Sequence, residues 1–381
     1  MIHKIKYATR QFSLLLLIVS AICLTVIRLF LMGVDDYKHD LESKVLELTN
    51  ISIEIGELRA RLRGINPEVV LQNIRVLSDQ DSTNSAIKLK EVRLGIDLMQ
   101  LAFKQNVLQA SWLTLVGAEL SIVRKEDGRI SIAGLNEREG EQPLWLLNGG
   151  RYEVLKSEVT WLDEQRKASA IKFKVVDLVI TNDSDKDSHE MHFVSDLPDK
   201  YGDFLRVSLV VQGSVFEVDD INGMLYIEGN NIHLAELMTG EKPYGINLES
   251  GAGSFKKWGI VEKSSLIAIS GQLAVKDVVI KRNKQTYDIK SLTTEFNGHH
   301  KNDAWQFGVK DFLLQTDKSQ WPAASFDLSA NKELNQFAAS ILKLDMGEFS
   351  EIAQFFAPLN KEQKMMVSNA GIKGQLNDFY I

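Results

Sequence analysis

The sequence contains one cysteine, Cys23, in 381 residues, so no internal disulfide can staple the chain and it must hold together by packing. It also lacks an excess of positive charge. Its 44 lysines and arginines stand against 51 aspartates and glutamates, and no Lys/Arg block is long enough to leave the electrostatic footprint of nucleic-acid binding. Nucleic acid is excluded as a partner class. Low-complexity tracts are missing too, and 44% apolar with 25% charged residues is the composition of a folded chain, not a disordered one. Finally, there is no Ser-His-Asp arrangement, phosphate-binding glycine loop or dinucleotide fingerprint. No cofactor is implied, and a non-enzyme is expected.

What is present begins with "FSLLLLIVSAICLTVIRLFLMG" at 12–33. As a helix these residues would rise about 33 Å, enough to span a bilayer core. Arg28 is the one charge within it, and near an end it can lay its stem along the helix and place the guanidinium among headgroups, marking the membrane interface. A cleaved signal peptide would have a shorter apolar core and small residues at its end, whereas this segment runs out as "LFLMGVDD". Lys4, Lys6 and Arg10 precede the span and Asp35 and Asp36 follow it, which keeps residues 1–11 in the cytoplasm and exports the rest. The expected location is the inner membrane, single-pass, with the bulk of the chain in the periplasm.

Beyond the span the pattern is mostly alternation. A short amphipathic helix over 37–49 leads into strand-like "ISIEIGEL", and "AELSIVRKEDGRISIAGL" reads as a hairpin turning at Asp127-Gly128. Further strands are expected over 170–181, 204–212, 223–228, 266–281, 287–296, 305–316 and 323–330, with helices over 97–103 and 334–358, the second ended by Pro358. The acidic stretch 136–143 reads as a linker and 182–192 as a long solvated hairpin loop.

Two stretches, "VKDVVI" (275–280) and "VKDFLL" (309–314), are nearly the same phrase, echoed in "LQNIRVL" (71–77), "LKEVRL" (89–94) and "FKVVDL" (173–178). Each puts apolar residues at i, i+3 and i+5, and in a regular strand the last two share a face while the first lies opposite. Each copy reads as one strand of a sheet. The common apolar face would comprise Ile74, Val76, Val92, Leu94, Ile96, Val176, Leu178, Ile180, Val278, Ile280, Phe312 and Leu314. On pattern alone such a face belongs to a closed core.

Several clusters invite chemistry and do not support it. Asp183, Asp185 and Asp187 have calcium-loop spacing, but Ser188 replaces the turn glycine and Val194 the bidentate glutamate. His189 and His192 are one residue short of the zinc-protease spacing. Asp163 and Glu164, adjacent on a strand, point to opposite faces and cannot flank one bond. His299 and His300 read as part of a solvated turn with no cysteine nearby.

The apolar span, "LRGINPEVVLQNIRVL" (62–77), "LKEVRLGIDLMQL" (89–101), "LSIVRKEDGRISIAGL" (120–135) and "LLNGGRYEVLKSEVTWLDE" (146–164), in this order, resemble the N-terminal part of the AsmA-like YhdP family. The likeness covers roughly residues 12–180 well and the later strands more loosely. It implies an inner-membrane anchor followed by a mainly β, elongated, curled, mostly antiparallel sheet forming an apolar groove with a few short helices. It also implies phospholipid acyl chains as partners, transport toward the outer membrane, maintenance of that barrier, and contacts with other envelope proteins. The twelve apolar residues above would then line the groove. The expected divisions are 1–11, 12–33, a first β section 34–145 and a continuing groove 146–381. The family continues with more β-sheet, so the chain is expected to be an N-terminal portion, incomplete at its end. The rival readings are a non-transporting envelope scaffold with a closed β core, and a membrane-tethered hydrolase with a dispersed site.

Overall fold

Alternating apolar and polar side chains, punctuated by turn residues, give a succession of antiparallel strands. The computed structural model describes residues 34–49, 52–78, 81–132, 149–166, 169–213, 221–237, 246–282, 285–301, 304–317, 319–331, 337–356, 362, 365–366 and 374–380. The expected span at 12–33 with Arg28, the tail 1–11 and the linker at 136–143 lie outside these. Among the described residues no helix is long and apolar enough to cross a membrane.

The chain forms two compact units. One runs to Val123 and resumes over Ile130–Val159; the other comprises Arg124–Arg129 and everything from Thr160.

In the first unit a single 3-10 turn, Val34–Tyr37, precedes α1 (Lys38–Thr49). Then come β1 (Ser52–Glu54), β2 (Glu57–Arg63), β3 (Asn66–Ser78), β4 (Asp81–Ile96), α2 (Leu98–Lys104), β5 (Ser111–Arg124), β6 (Ile130–Ile132) and β7 (Arg151–Asp163), which carries the chain into the second unit. β1 and β2 pair along the same side of β3, β3 pairs with β4, and β4 with β5. The expected short helix is α2, one residue later than read. Asp97 caps it by accepting from Gln100 N at 2.9 Å, and Gln105 ends it in the left-handed region at φ 51°. Ile55, Leu58, Leu71, Ile74 and Val92 form a buried cluster against which Leu41 of α1 packs. Backbone fixes α1 and the turn before it there: Ile55 N donates to Glu42 Oε1 at 2.7 Å and Leu58 N to Asp35 Oδ1 at 3.1 Å.

The second unit is a meander of β8 (Ile171–Asp183), β9 (Ser188–Asp196), β10 (Phe204–Gln212), β11 (Asn222–His233), β12 (Ile246–Glu262), β13 (Ser265–Arg282), β14 (Gln285–Lys301), β15 (Ala304–Thr316), β16 (Ala324–Asn331), β17 (Phe337–Asp345) and β18 (Gln375–Tyr380). Each strand pairs antiparallel with the next. A one-turn helix α3 (Leu234–Leu237) follows β11, and α4 (Met346–Phe356) follows β17.

Four expectations change. The helix read over 334–358 begins at Met346, because residues 337–345 pair with β16 and β18; Asp345 then caps the helix by accepting from Gly347 N at 3.0 Å. Strand β12 went unread, its "GAGS" breaking the alternation. The loop at 182–192 is a tight turn: β8 runs to Asp183 and β9 starts at Ser188. His299 and His300 are not in a turn, since β14 continues to Lys301 and pairs them with Gln306 and Trp305.

The repeated phrase also resolves differently. Its third residue lies in the left-handed region in three copies, with φ 54° at Asn73, 52° at Asp277 and 50° at Asp311. Asn and Asp are the side chains that tolerate this conformation best. In the last two copies an unpaired extra residue makes a bulge. Between Val309 and Phe312, β15 has Lys310 and Asp311 where β16 has one residue; between Lys276 and Val279, β13 has two residues where β12 has only Gly251. The extra residue resets the alternation, so i, i+3 and i+5 all face one way. Val275, Val278 and Ile280 are thus inward together while Lys276 and Asp277 are exposed. Hydroxyls from the neighbouring strand satisfy the interrupted ladder. Ser250 Oγ donates to Asp277 O at 3.1 Å and Thr294 Oγ1 to Lys310 O at 3.1 Å; at a related bulge, Asn231 N donates to Ser254 Oγ at 3.0 Å. Bulges bend and twist the strands that carry them.

Candidate functional site: apolar rows on one sheet face

Register builds the site. Reading directly paired residues across the second unit gives Leu178, Phe193, Val207, Ile227, Lys257, Gly271, Phe296, Val309, Phe326 and Ile341 in β8 to β17. Apart from Lys257 and Gly271 this row is apolar throughout. A second row on the same face holds Ile180, Met191, Leu209, Leu225, Gly259, Ile269, Gly298, Phe307, Leu328 and Ala339. A third starts Val176, Ser195, Leu205, Gly229, Phe255 and Leu273. Side chains in one row stand next to each other, so the rows form apolar lanes perpendicular to the strands.

One margin of this face is covered. Leu314 is 2% exposed, beneath Trp321 and beside Leu344, with Met346 and Ile352 of α4 packed on the same cluster. Tyr287 and Phe355 meet at a tilt with ring centroids 5.4 Å apart, and Arg282 Nη1 donates to Phe355 O at 2.6 Å, pinning the helix end. Along β15 and β16 the face is open at Phe307 and Leu328, cross-strand partners that are 39% and 44% exposed. A depression of about 400 Å³ is lined mainly by residues of the opposite face, among them Glu228, Lys256, Gln272, Glu295, Ser254 and Ala274, and the apolar residues expected from the phrase do not line it. The opposite face carries a charge ladder, with Arg206 Nη1 donating to Glu228 Oε2 at 2.6 Å, Lys256 4.0 Å from Glu228, and Gln272 Nε2 donating to Glu295 Oε1 at 3.0 Å, beside the exposed apolar side chains of Met224, Trp258 and Ile260.

Of the expected lining residues, Val176, Leu178, Ile180, Val278, Ile280, Phe312 and Leu314 lie on the apolar face of the second unit, Val176, Val278 and Leu314 buried and the others half-buried. Ile74, Val76 and Val92 are buried in the first unit, where Leu94 is exposed and Ile96 half-buried. Sequence reasoning missed α4 and Trp321 as the cover and Lys257 within the first row. It also missed a polar network in the first unit. There the buried Glu68 accepts from Arg61 and from Trp112 Nε1 at 3.3 Å, while Glu153 accepts from Thr114 Oγ1 at 2.8 Å and Arg151 Nε at 2.6 Å. Burial by itself would raise the Glu153 pKa, but its Arg151 and Thr114 hydrogen bonds and the charges of Arg151 and Arg63 outweigh it and hold the carboxyl below its ordinary value. Both carboxylates are tied to arginine, Glu68 to Arg61 and Glu153 to Arg151. Asp163 likewise accepts from Arg166 N at 3.0 Å at the end of β7, and the acidic turn before β9 binds itself, Asp185 N donating to Asp183 Oδ1 at 3.2 Å.

The family model described as "YhdP protein" matches residues 1–381. The chain is 22% identical over 346 residues to the Escherichia coli protein named intermembrane phospholipid transporter YhdP, a match that covers 82% of this chain and 24% of that protein. The chain therefore spans about a quarter of its curated relative's length. No solved structure matches it.

Proposed function

The chain belongs to the YhdP family, and from that premise we propose that it is a membrane-anchored, lipid-binding conduit that assists phospholipid transport from the inner to the outer membrane and so maintains the outer-membrane barrier. The carrying observation is the two register rows, apolar nearly throughout, that cross ten successive strands on one face and are open at Phe307 and Leu328. Acyl chains resting on the rows would replace the bilayer interior, sparing about 0.8 kcal/mol for each methylene otherwise exposed to water. Headgroups would remain hydrated. As a member of this family the chain is not an enzyme, and moving an acyl chain along a lining makes and breaks no bond. The anchor at 12–33 would leave residues 1–11 in the cytoplasm and the strands in the periplasm, which a periplasm-active reporter fused after Ile132 would read as active.

A second reading is supported by the first unit. Its apolar face is closed by Leu41, Ile55 and Leu58, as an envelope scaffold recruiting other envelope proteins would require. The two readings separate by photo-crosslinking in cells. Crosslinkers at Leu178 and Phe307 are expected to capture phospholipid while those at Arg206 and Glu295, on the charged face, do not. Leu328→Asp, at an exposed position, should fold normally and lower capture at Phe307 at least tenfold, since it sets a charge in the acyl path. Equal capture from both faces, or capture unchanged by Leu328→Asp, favours the scaffold.

A further inference from the structure

Resting on the conduit reading, we propose that Lys257 is the phosphate-contacting residue of the lane, so that the face selects phosphate-bearing amphiphiles over neutral ones with the same tails. Lys257 is the one charged side chain among the described residues of the three apolar rows. It pairs directly with Ile227 on one side and Gly271 on the other, and it is exposed. Two positions further along β12 stands Gly259, and a side chain at Gly271 would collide with the ring of Phe296 at 2.6 Å. The floor around the lysine is therefore made of Ile227, Gly259 and the Phe296 ring that lies over Gly271, an apolar surface beside its stem.

No carboxylate on these rows answers this cation. On the opposite face the adjacent Lys256 lies 4.0 Å from Glu228, which also holds Arg206. Two neighbouring lysines thus meet opposite conditions: one belongs to a ladder of paired charges, the other stands among apolar side chains. Lysine can run its methylene stem along an apolar surface and keep its ammonium in water. A lipid whose tails lie on the same row presents its headgroup at that level, where a compact cation makes a point contact with a phosphate oxygen.

The experiment uses the full chain in detergent and two probes with identical pyrene-labelled tails, a phosphatidylglycerol and a diacylglycerol. The wild-type protein should bind the phospholipid about fivefold more tightly, the scale of one exposed charge contact. Lys257→Met should keep diacylglycerol binding and lose the preference, and Lys257→Arg should retain it. Millimolar inorganic phosphate should leave phospholipid binding unchanged. A preference that survives Lys257→Met overturns the inference and leaves the lane intact, as does loss of binding to free phosphate, which would make this an anion site independent of tails. Failure of both probes to bind the wild-type chain overturns the conduit reading itself.

Discussion

The first unit and the second begin from the same phrase and dispose of it differently. In the first, "LQNIRVL" delivers Leu71 and Ile74 to a cluster sealed by α1, β1 and β2, with Ile74 3% exposed. In the second, "VKDVVI" and "VKDFLL" deliver their apolar residues to a face that α4 and Trp321 cover at one margin only. The strand grammar is the same in both; what differs is whether the chain supplies another element to lie on top. A bulged, apolar strand face is thus not by itself a core or a groove. Its neighbours in the chain decide.

The sharpest way to break this contrast is to truncate a matched pair. Ile74→Ala should cost about 3 kcal/mol in urea unfolding, whereas Leu328→Ala, at a position 44% exposed, should cost less than about 1 kcal/mol. Lipid capture should respond in the reverse order. Equal stability losses would mean that the open face is a core after all. Next in size is the bulge: Asp277→Val should cost about 1–2 kcal/mol for forcing a branched side chain to φ 52°, with Asp277→Gly a near-neutral control. Ser254→Ala, which removes the acceptor for Asn231 N, should cost about 1 kcal/mol by the same denaturation measurement.

The smallest effect distinguishes the units by pH. Because the folded pKa of Glu153 lies below its unfolded value, near 4.3, its contribution is present above that value and fades as pH falls through the folded one. Acid titration of unfolding midpoints should show this fade in the wild type and a flatter profile in Glu153→Gln. Identical profiles would remove the Arg151 pairing from the account.

Much of the second unit was legible because periodicity reports strands wherever alternation is unbroken: β10 was read to its exact ends at Phe204 and Gln212. The failures have physical sources. "FAASILKLD" has apolar residues at both helical and strand spacing, and it is a strand because β16 offers it a partner edge. β12 hides behind Gly251 and Gly253, which sit where its bulge and its close neighbour Val275 leave little room. Most instructive is the phrase itself, whose i, i+3, i+5 spacing was read as a change of face. Asn73, Asp277 and Asp311 were the available signal, since an Asn or Asp inside an apolar strand marks a left-handed residue. Lys257 was invisible for another reason: only register shows which lysine of "KKW" stands among apolar neighbours.

Nearest-neighbour pairing in the second unit has a consequence for how it is made. From β8 to β17 the described ladders join strands adjacent in sequence across short connections, so each association closes only a short loop, while β18 returns to β17 from beyond α4. Such a sheet can assemble by accretion, each finished hairpin templating the strand that emerges after it, in the one-dimensional manner of repeat proteins. Folding would then advance as a front whose speed is set by local hairpin closure, and an interruption would leave everything behind the front already paired.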